Sequence, residues 1–95
     1  MITEAGKDIL PKSLEDKVKS KKWRQKIYEK HGAKAFLIPK ELGFPVMDEN
    51  GYHCGLIYAA YTRAKQYHHN KLANKAKNLF AKAGCNKKFN RKIQD

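Results

Sequence analysis

Two amphipathic patterns, joined by a short polar link, constrain the fold of this chain more than any other feature of its sequence. The first places apolar residues at i, i+3, i+4 and i+7, namely Ile57, Ala60, Tyr61 and Ala64. The second places them on one face of the following segment, at Leu72, Ala76, Leu79, Phe80 and Ala83. This spacing is typical of helices that bury one side. We therefore expect a helical hairpin with helices at about 53–66 and 71–83, the second capped by Asn70 and ended by Gly84.

A further helix is predicted over residues 13–31, where the composition favours a helix and Gly32 is a suitable residue to end it. Its apolar stripe is irregular, because Trp23 follows Val18 by five positions instead of three or four. The stripe therefore slips near Ser20. The sequence predicts either a kink or a later helix start at that residue.

The segment between these helices has a different character. Two short apolar runs, residues 35–39 and 44–47, each contain a proline, and Asn50-Gly51 follows as strong turn chemistry. Proline removes a ladder hydrogen bond, which argues against a long regular strand. We expect a proline-bounded extended segment or a small β-ribbon at 35–47. The predicted fold class is mainly α, with three helices and this segment between the first and the second.

The length of 95 residues suits one small domain. We assign that domain to residues 13–84, with a flexible N-terminal arm at 1–12 and a basic C-terminal tail at 85–95. No apolar run approaches the roughly 18 residues of a membrane span, and the first residues lack the apolar core of a signal peptide. We therefore expect no membrane partner, and an intracellular or virion setting for a protein that is not secreted.

The charge distribution is strongly asymmetric. The chain carries a formal net charge of +12, and no acidic residue lies between Glu49 and Asp95, although ten lysines and arginines do. Exposed helices ordinarily carry acid–base pairs at i,i+4. The exclusion of carboxylates from half of the chain favours a polyanionic partner, and nucleic acid is the leading candidate.

The candidate nucleic-acid contacts are lysines and arginines. On the last predicted helix, Lys71, Lys75 and Lys82 lie within about 40° of one another, opposite the apolar face. The other candidates belong to the preceding helix, the N-terminal helix and the tail: Arg63, Lys65, Lys21, Lys22, Arg24, Lys87, Lys88 and Arg91. Lysines bind phosphates but lack the forked donors that read base edges. The sequence therefore predicts backbone-dominated, weakly sequence-specific binding, with DNA favoured over RNA.

Other functions remain open on the same residues. The basic stretches could be ordinary solvated helix faces, or they could dock on an acidic protein surface, as in a structural or adaptor protein of a virion. Zinc is disfavoured because the histidines and cysteines lack the usual Cys-x2-4-Cys or His-x3-5-His spacing, and no cofactor is expected. An enzyme is disfavoured because no Gly-rich phosphate loop or oxyanion motif is present.

The two cysteines, Cys54 and Cys85, lie at opposite ends of the predicted hairpin. A disulfide between them is geometrically conceivable. Thiols of a protein that stays inside the cell are usually reduced, however, so the expected setting favours free cysteines.

An AFLIP motif at residues 35–39 and an FPV motif at 44–46 precede an alanine-rich helix at 56–64 and a short basic segment at 75–79. This order of motifs resembles small uncharacterised proteins of tailed phages and large DNA viruses, over roughly residues 35–84. The resemblance implies a viral or virion-associated setting. It brings no activity and no functional residues with it.

Overall fold

The computed structural model describes residues 12–85 of the chain. Four helices run over Lys12–Val18 (α1), Lys21–His31 (α2), Cys54–Gln66 (α3) and Asn70–Lys82 (α4). Four short strands lie between α2 and α3: Phe36–Ile38 (β1), Gly43–Pro45 (β2), Met47–Asp48 (β3) and Gly51–Tyr52 (β4). The predicted mainly helical fold is confirmed, and residues 12–85 contain four α-helices where three were predicted. Apart from Lys12 and Cys85, the predicted arm and tail lie outside the described residues.

The helix predicted over residues 13–31 is divided into two. α1 ends at Val18, and Ser20 caps α2, where its side-chain oxygen accepts the Trp23 backbone N–H at 3.3 Å. This bond satisfies one of the N–H groups that the first turn of a helix leaves unpaired. The slip in the apolar stripe therefore marks a boundary between two helices. Within α2, the buried residues Trp23 and Ile27 are four positions apart and lie on one face.

The proline-bounded segment forms a small antiparallel ribbon. β1 pairs with β2, so that Phe36 lies opposite Pro45 and Ile38 lies opposite Gly43. The ribbon predicted at 35–47 is thereby confirmed.

A second, two-residue ribbon follows in which β3 pairs with β4 around Asn50-Gly51. The Asn50 backbone N–H donates to a carboxylate oxygen of Asp48 at 2.8 Å, and Gly51 adopts a φ of 116°. Only glycine adopts such a φ without steric cost, which is why the turn forms at this dipeptide.

The predicted helical hairpin is present as α3 and α4. Their helices approach closely because small residues, Ala64, Ala73 and Ala76, are buried on the facing sides. The Tyr58 and Phe80 rings fill the remaining space with centroids 6.0 Å apart. The hairpin ends differ slightly from the prediction.

At the start of α4, Asn70 is the first helical residue, and the capping position belongs to His69, which makes no side-chain capping bond. Its backbone N–H instead donates to the Ala64 carbonyl of α3 at 2.8 Å. At the other end, Gly84 follows the helix with a φ of 80°, as the prediction required.

A disulfide joins Cys54 to Cys85, and the expectation of free thiols is wrong in this structure. Each helix of the hairpin has 13 residues, so their antiparallel packing brings the first residue of α3 beside the segment that follows α4. The two Cα atoms are 5.6 Å apart, and both side chains are buried. The expectation of free thiols rested on a reducing compartment, whereas the pairing follows from the geometry of the hairpin.

The core lies where the hairpin meets α2 and the ribbons. Its largest fully buried side chains are Phe80, Ile27, Ile57 and Val46. Within residues 12–85, no helix combines the length and apolar character that crossing a membrane requires.

Candidate functional site

Three lysines of α4 form a ridge that points away from the core. The exposed members of this lysine ridge are Lys71, Lys75 and Lys82. The opposite side of the helix buries Ala73 and Phe80. Helical periodicity places the three lysines within about 40° of one another and spreads them over about 16 Å of helix. Residues 50–85 contain no acid, so this half of the molecule offers no carboxylate to neutralise the ridge.

The two predicted contacts on α3 lie on different flanks of the helix. About 160° separates the directions of Arg63 and Lys65. Lys65 lies on the α4 side, because Tyr58 projects in nearly the same direction and contacts Phe80. Lys65 is therefore close to the hairpin loop where the lysine ridge begins, whereas Arg63 lies on the flank that faces α1 and β2.

Arg24 differs from the other predicted contacts, because part of its guanidinium is bonded to the backbone. Its Nε–H donates to the Val18 carbonyl at 2.6 Å, and a terminal N–H donates to the Leu42 carbonyl at 3.1 Å. Arg24 thus ties α2 to the end of α1 and to the turn before β2. Lys21 and Lys22, in the first turn of α2, are exposed. The remaining predicted contacts lie outside the described residues: Lys87, Lys88 and Arg91.

A cavity of about 390 Å³ lies where α1, α2, β2 and α3 meet. Much of its lining is apolar and includes Val18, Phe44, Leu56 and Ala60. Arg24 and Arg63 line it as well, and we refer to it as the arginine cavity. Glu15 of α1 and Lys19, which follows α1, complete its charged lining. Arg63 and Arg24 are therefore brought together, at a place separate from the lysine ridge.

The two guanidinium groups of the arginine cavity repel each other. Burial lowers the pKa of Arg24, and the positive charge of Arg63 lowers it further. Neither cause is an attraction to a carboxylate. Glu15 shares the cavity and is the one carboxylate of its lining. Two like charges thus lie beside one another on a largely apolar surface.

Phe44, which lines the arginine cavity, lies in a segment with a strained backbone. Leu42 and Phe44 have φ values of 52° and 55°, in the left-handed region. A side chain larger than that of glycine costs about 1–2 kcal/mol per residue there. The bond from Arg24 to the Leu42 carbonyl stabilises this turn. The Phe44 ring also meets the His69 ring edge-on, with centroids 6.4 Å apart.

The part of the chain that the structure describes contains no cluster of side chains suited to a metal ion. Among residues 12–85, no three side chains of His, Cys, Asp or Glu come together in a group that could hold an ion. Cys54 and Cys85 form a disulfide and so present no thiolate. His53 accepts the Leu56 backbone N–H through Nδ1 at 3.2 Å and caps α3.

The arginine cavity was not predicted from the sequence. Its residues come from four separate elements, and no short motif links Arg24 to Arg63 or Phe44 to either. The left-handed backbone of this turn gives no sequence signal either, because it falls on Leu42 and Phe44 and not on the glycine between them.

Comparison with known proteins adds no relative. No family model matches the chain, and no curated protein or solved structure matches it.

Proposed function

We propose that this protein binds nucleic acid through the lysine ridge, by contacts to phosphates and with little preference for sequence. The observation that carries the proposal is the ridge itself, three exposed lysines on the helix face opposite the core. Counterion release from phosphates supplies affinity wherever cations are spaced along a surface. An exposed helix without such a partner usually carries acids at i,i+4 from its lysines, and α4 carries none.

DNA is the proposed partner in preference to RNA. The major groove of B-DNA admits an α-helix, whereas the major groove of A-form RNA is too narrow for side chains to read. Lysine supplies point charges that suit phosphates. Asn78 lies between Lys75 and Lys82 on the same face and is exposed. Asn74, also exposed, precedes it by one turn. Asparagine side chains can read an adenine, and two of them allow only a weak sequence preference.

The setting that we propose is viral, within a virion. The order of motifs at residues 35–84 resembles proteins of phages and large DNA viruses, and the disulfide favours an oxidising environment such as that of a virion over a reducing cytosol. A binding role without catalysis is part of the same proposal.

The test is the salt dependence of binding to a duplex of about 20 base pairs, followed by fluorescence anisotropy. Three ridge lysines, with Lys65 as a fourth, predict a slope of log affinity against log salt of about −3 to −4 on B-DNA. A larger set that included all predicted cations would give a steeper slope. Replacing Lys71→Glu and Lys75→Glu together should weaken binding and reduce the slope by about 2.

The matched control is Lys26→Glu with Lys30→Glu on α2. These lysines have the same i,i+4 spacing, are exposed, and change the net charge equally. The control should keep most of the affinity. If both pairs weaken DNA binding to the same extent, or if affinity does not depend on salt, the ridge is not the interface.

A second candidate function is docking of the ridge on an acidic protein surface. The same helix face would serve, because carboxylates attract lysines as phosphates do. The ridge variant separates the two functions. Loss of association with an acidic protein partner while duplex binding persists would assign the ridge to protein assembly.

A further inference from the structure

We propose that the arginine cavity is a second binding site, which takes the phosphate monoester of a nucleotide between Arg24 and Arg63 and its base against Phe44. This inference is independent of the lysine ridge. The cavity lies on the other flank of α3 and is built from different elements.

The charge of the cavity favours a phosphate monoester over a carboxylate. Two guanidinium groups and Lys19 line the cavity together with one carboxylate, that of Glu15, so its lining keeps an excess of positive charge. A phosphate monoester carries about −1.5 to −2 at neutral pH, enough to offset both arginines, whereas a carboxylate offsets one. An anion held between the two groups would also remove their mutual repulsion, which the folded protein otherwise retains.

The donors that such an anion needs are available. A guanidinium has five N–H groups. Two of those of Arg24 donate to backbone carbonyls, which fixes the plane of the group and leaves three donors. Arg63 is exposed and lines the same cavity. An arginine that is already held in place loses less side-chain freedom on binding, so a fixed Arg24 is a suitable half of an anion clamp.

The apolar lining and the volume call for more than an inorganic anion. A cavity of about 390 Å³ falls within the range of small-molecule sites. Phosphate alone would leave the half-buried apolar side chains of the lining, Val18 and Phe44, partly against water. Phe44 is half-buried, lines this cavity and has a backbone in the left-handed region. Aromatic side chains in such positions stack on nucleobases, and strained residues concentrate at functional sites.

The nucleotide could come from two sources with the same chemistry, a free nucleoside 5′-phosphate or the phosphorylated 5′ end of a strand. Both present one phosphate monoester next to one base. The experiment below distinguishes them.

The test is a titration of the full-length ¹⁵N-labelled protein with AMP, followed by NMR. We expect saturable shifts in Phe44, Ala60 and Arg63, and none in the lysine ridge. Adenosine and inorganic phosphate, each carrying half of the ligand, should bind at least about tenfold more weakly than AMP, since each lacks one of the two contacts.

The decisive variant is Arg63→Glu, with Lys26→Glu on α2 as its matched control. Both residues are exposed and undergo the same change of charge, but only Arg63 lines the cavity. Arg63→Glu should weaken AMP binding at least about tenfold and Lys26→Glu less than about twofold. Arg24 is left intact because it also holds the fold together.

Three results would overturn the inference: no saturable shifts in the cavity, equal binding of adenosine and AMP, or equal effects of the two substitutions. A circular dichroism spectrum that matches the wild type verifies that Arg63→Glu folds. If it does not fold, Arg63→Gln removes the charge with a smaller change and gives the same comparison.

Binding of short single strands with and without a 5′-phosphate distinguishes the two sources of the nucleotide. A preference for the phosphorylated strand that Arg63→Glu removes identifies the strand end as the ligand, and equal binding of both strands identifies the free nucleotide. Failure of AMP binding would leave duplex binding by the lysine ridge untouched, so the two proposals are tested separately.

Discussion

Removal of the Cys54–Cys85 disulfide is expected to lower the free energy of unfolding by about 3.7 kcal/mol. The two cysteines are separated by 31 positions. A loop of that length, once closed, reduces the entropy of the unfolded chain by about 12 cal/mol/K, which corresponds to the stated energy at 25 °C. Small domains have a total stability of about 5–15 kcal/mol, so this single bond accounts for a large share. The melting temperature should fall by roughly 15–30 °C.

The perturbation is the double substitution Cys54→Ala with Cys85→Ala. Both side chains are buried, and alanine avoids the unpaired hydroxyl that serine would introduce there. Urea denaturation can be followed by fluorescence, because Trp23 is the one tryptophan in the chain and is buried. The dependence of stability on urea should steepen in the variant, since an unfolded chain without a cross-link exposes more surface.

The control is the wild-type protein with its disulfide reduced, which should unfold at nearly the same urea concentration as the double variant. Far-ultraviolet circular dichroism should show the same helix content in all three proteins before unfolding. Equal stability of the oxidised protein and the double variant would refute the reasoning. The detection of two free thiols by mass spectrometry, in protein that has never been exposed to a reductant, would also refute it.

Three further substitutions test other parts of the fold. Phe80→Ala removes a fully buried ring that contacts Tyr58, and denaturation should show a loss of about 3–5 kcal/mol. Gly84→Ala meets no neighbouring atom but keeps a φ of 80°, so we expect a loss of about 1–2 kcal/mol in the same assay, from the backbone alone. Hydrogen bonds from its own backbone N–H and from the Trp23 indole (3.1 Å) lower the pKa of Glu49. Its stabilising effect is therefore present above its ordinary value of 4.5 and is lost as the pH falls through the lower folded value. Protonation of Glu49 should weaken its bond to the indole and change Trp23 fluorescence at acid pH. Glu49→Gln should remove this change, and a titration identical to that of the wild type would contradict the assignment.

The hairpin was the most predictable part of the fold, because its determinants are local. Apolar spacing identifies α3 and α4, and Gly84 marks the end of α4 by its freedom at positive φ. Buried alanines such as Ala64 and Ala76 allow the close approach of the two helices. These signals lie within a few residues of the structures they determine.

The features that the sequence left open depend on contacts between distant residues. The division at Ser20 appeared only as a slip in the apolar stripe, which a kink would explain equally well. The bond from Arg24 to the Leu42 carbonyl spans 18 positions, and no pattern in the sequence relates the two. The pairing of Cys54 with Cys85 follows from the equal lengths of two helices, which residue types alone do not fix to the last residue.

The candidate site was predictable in part. The lysine ridge follows from helical periodicity and from the missing acids, both of which are visible in the sequence. The arginine cavity is not, because four elements must pack before its residues meet. Arg63 illustrates the difference. Its charge is evident from the sequence, but the flank of α3 on which it lies decides which site it joins.

The disulfide also determines what happens when the chain is cut. α3, the hairpin loop and α4 form one covalent ring between Cys54 and Cys85. The loop within this ring is exposed and is bordered by Lys65 and Lys71, where a trypsin-like protease would cleave. A single cleavage there adds one water molecule to the mass and releases no fragment until the sulfur bridge is reduced. The lysine ridge therefore stays attached to the rest of the molecule after a cleavage that would divide a chain without the disulfide.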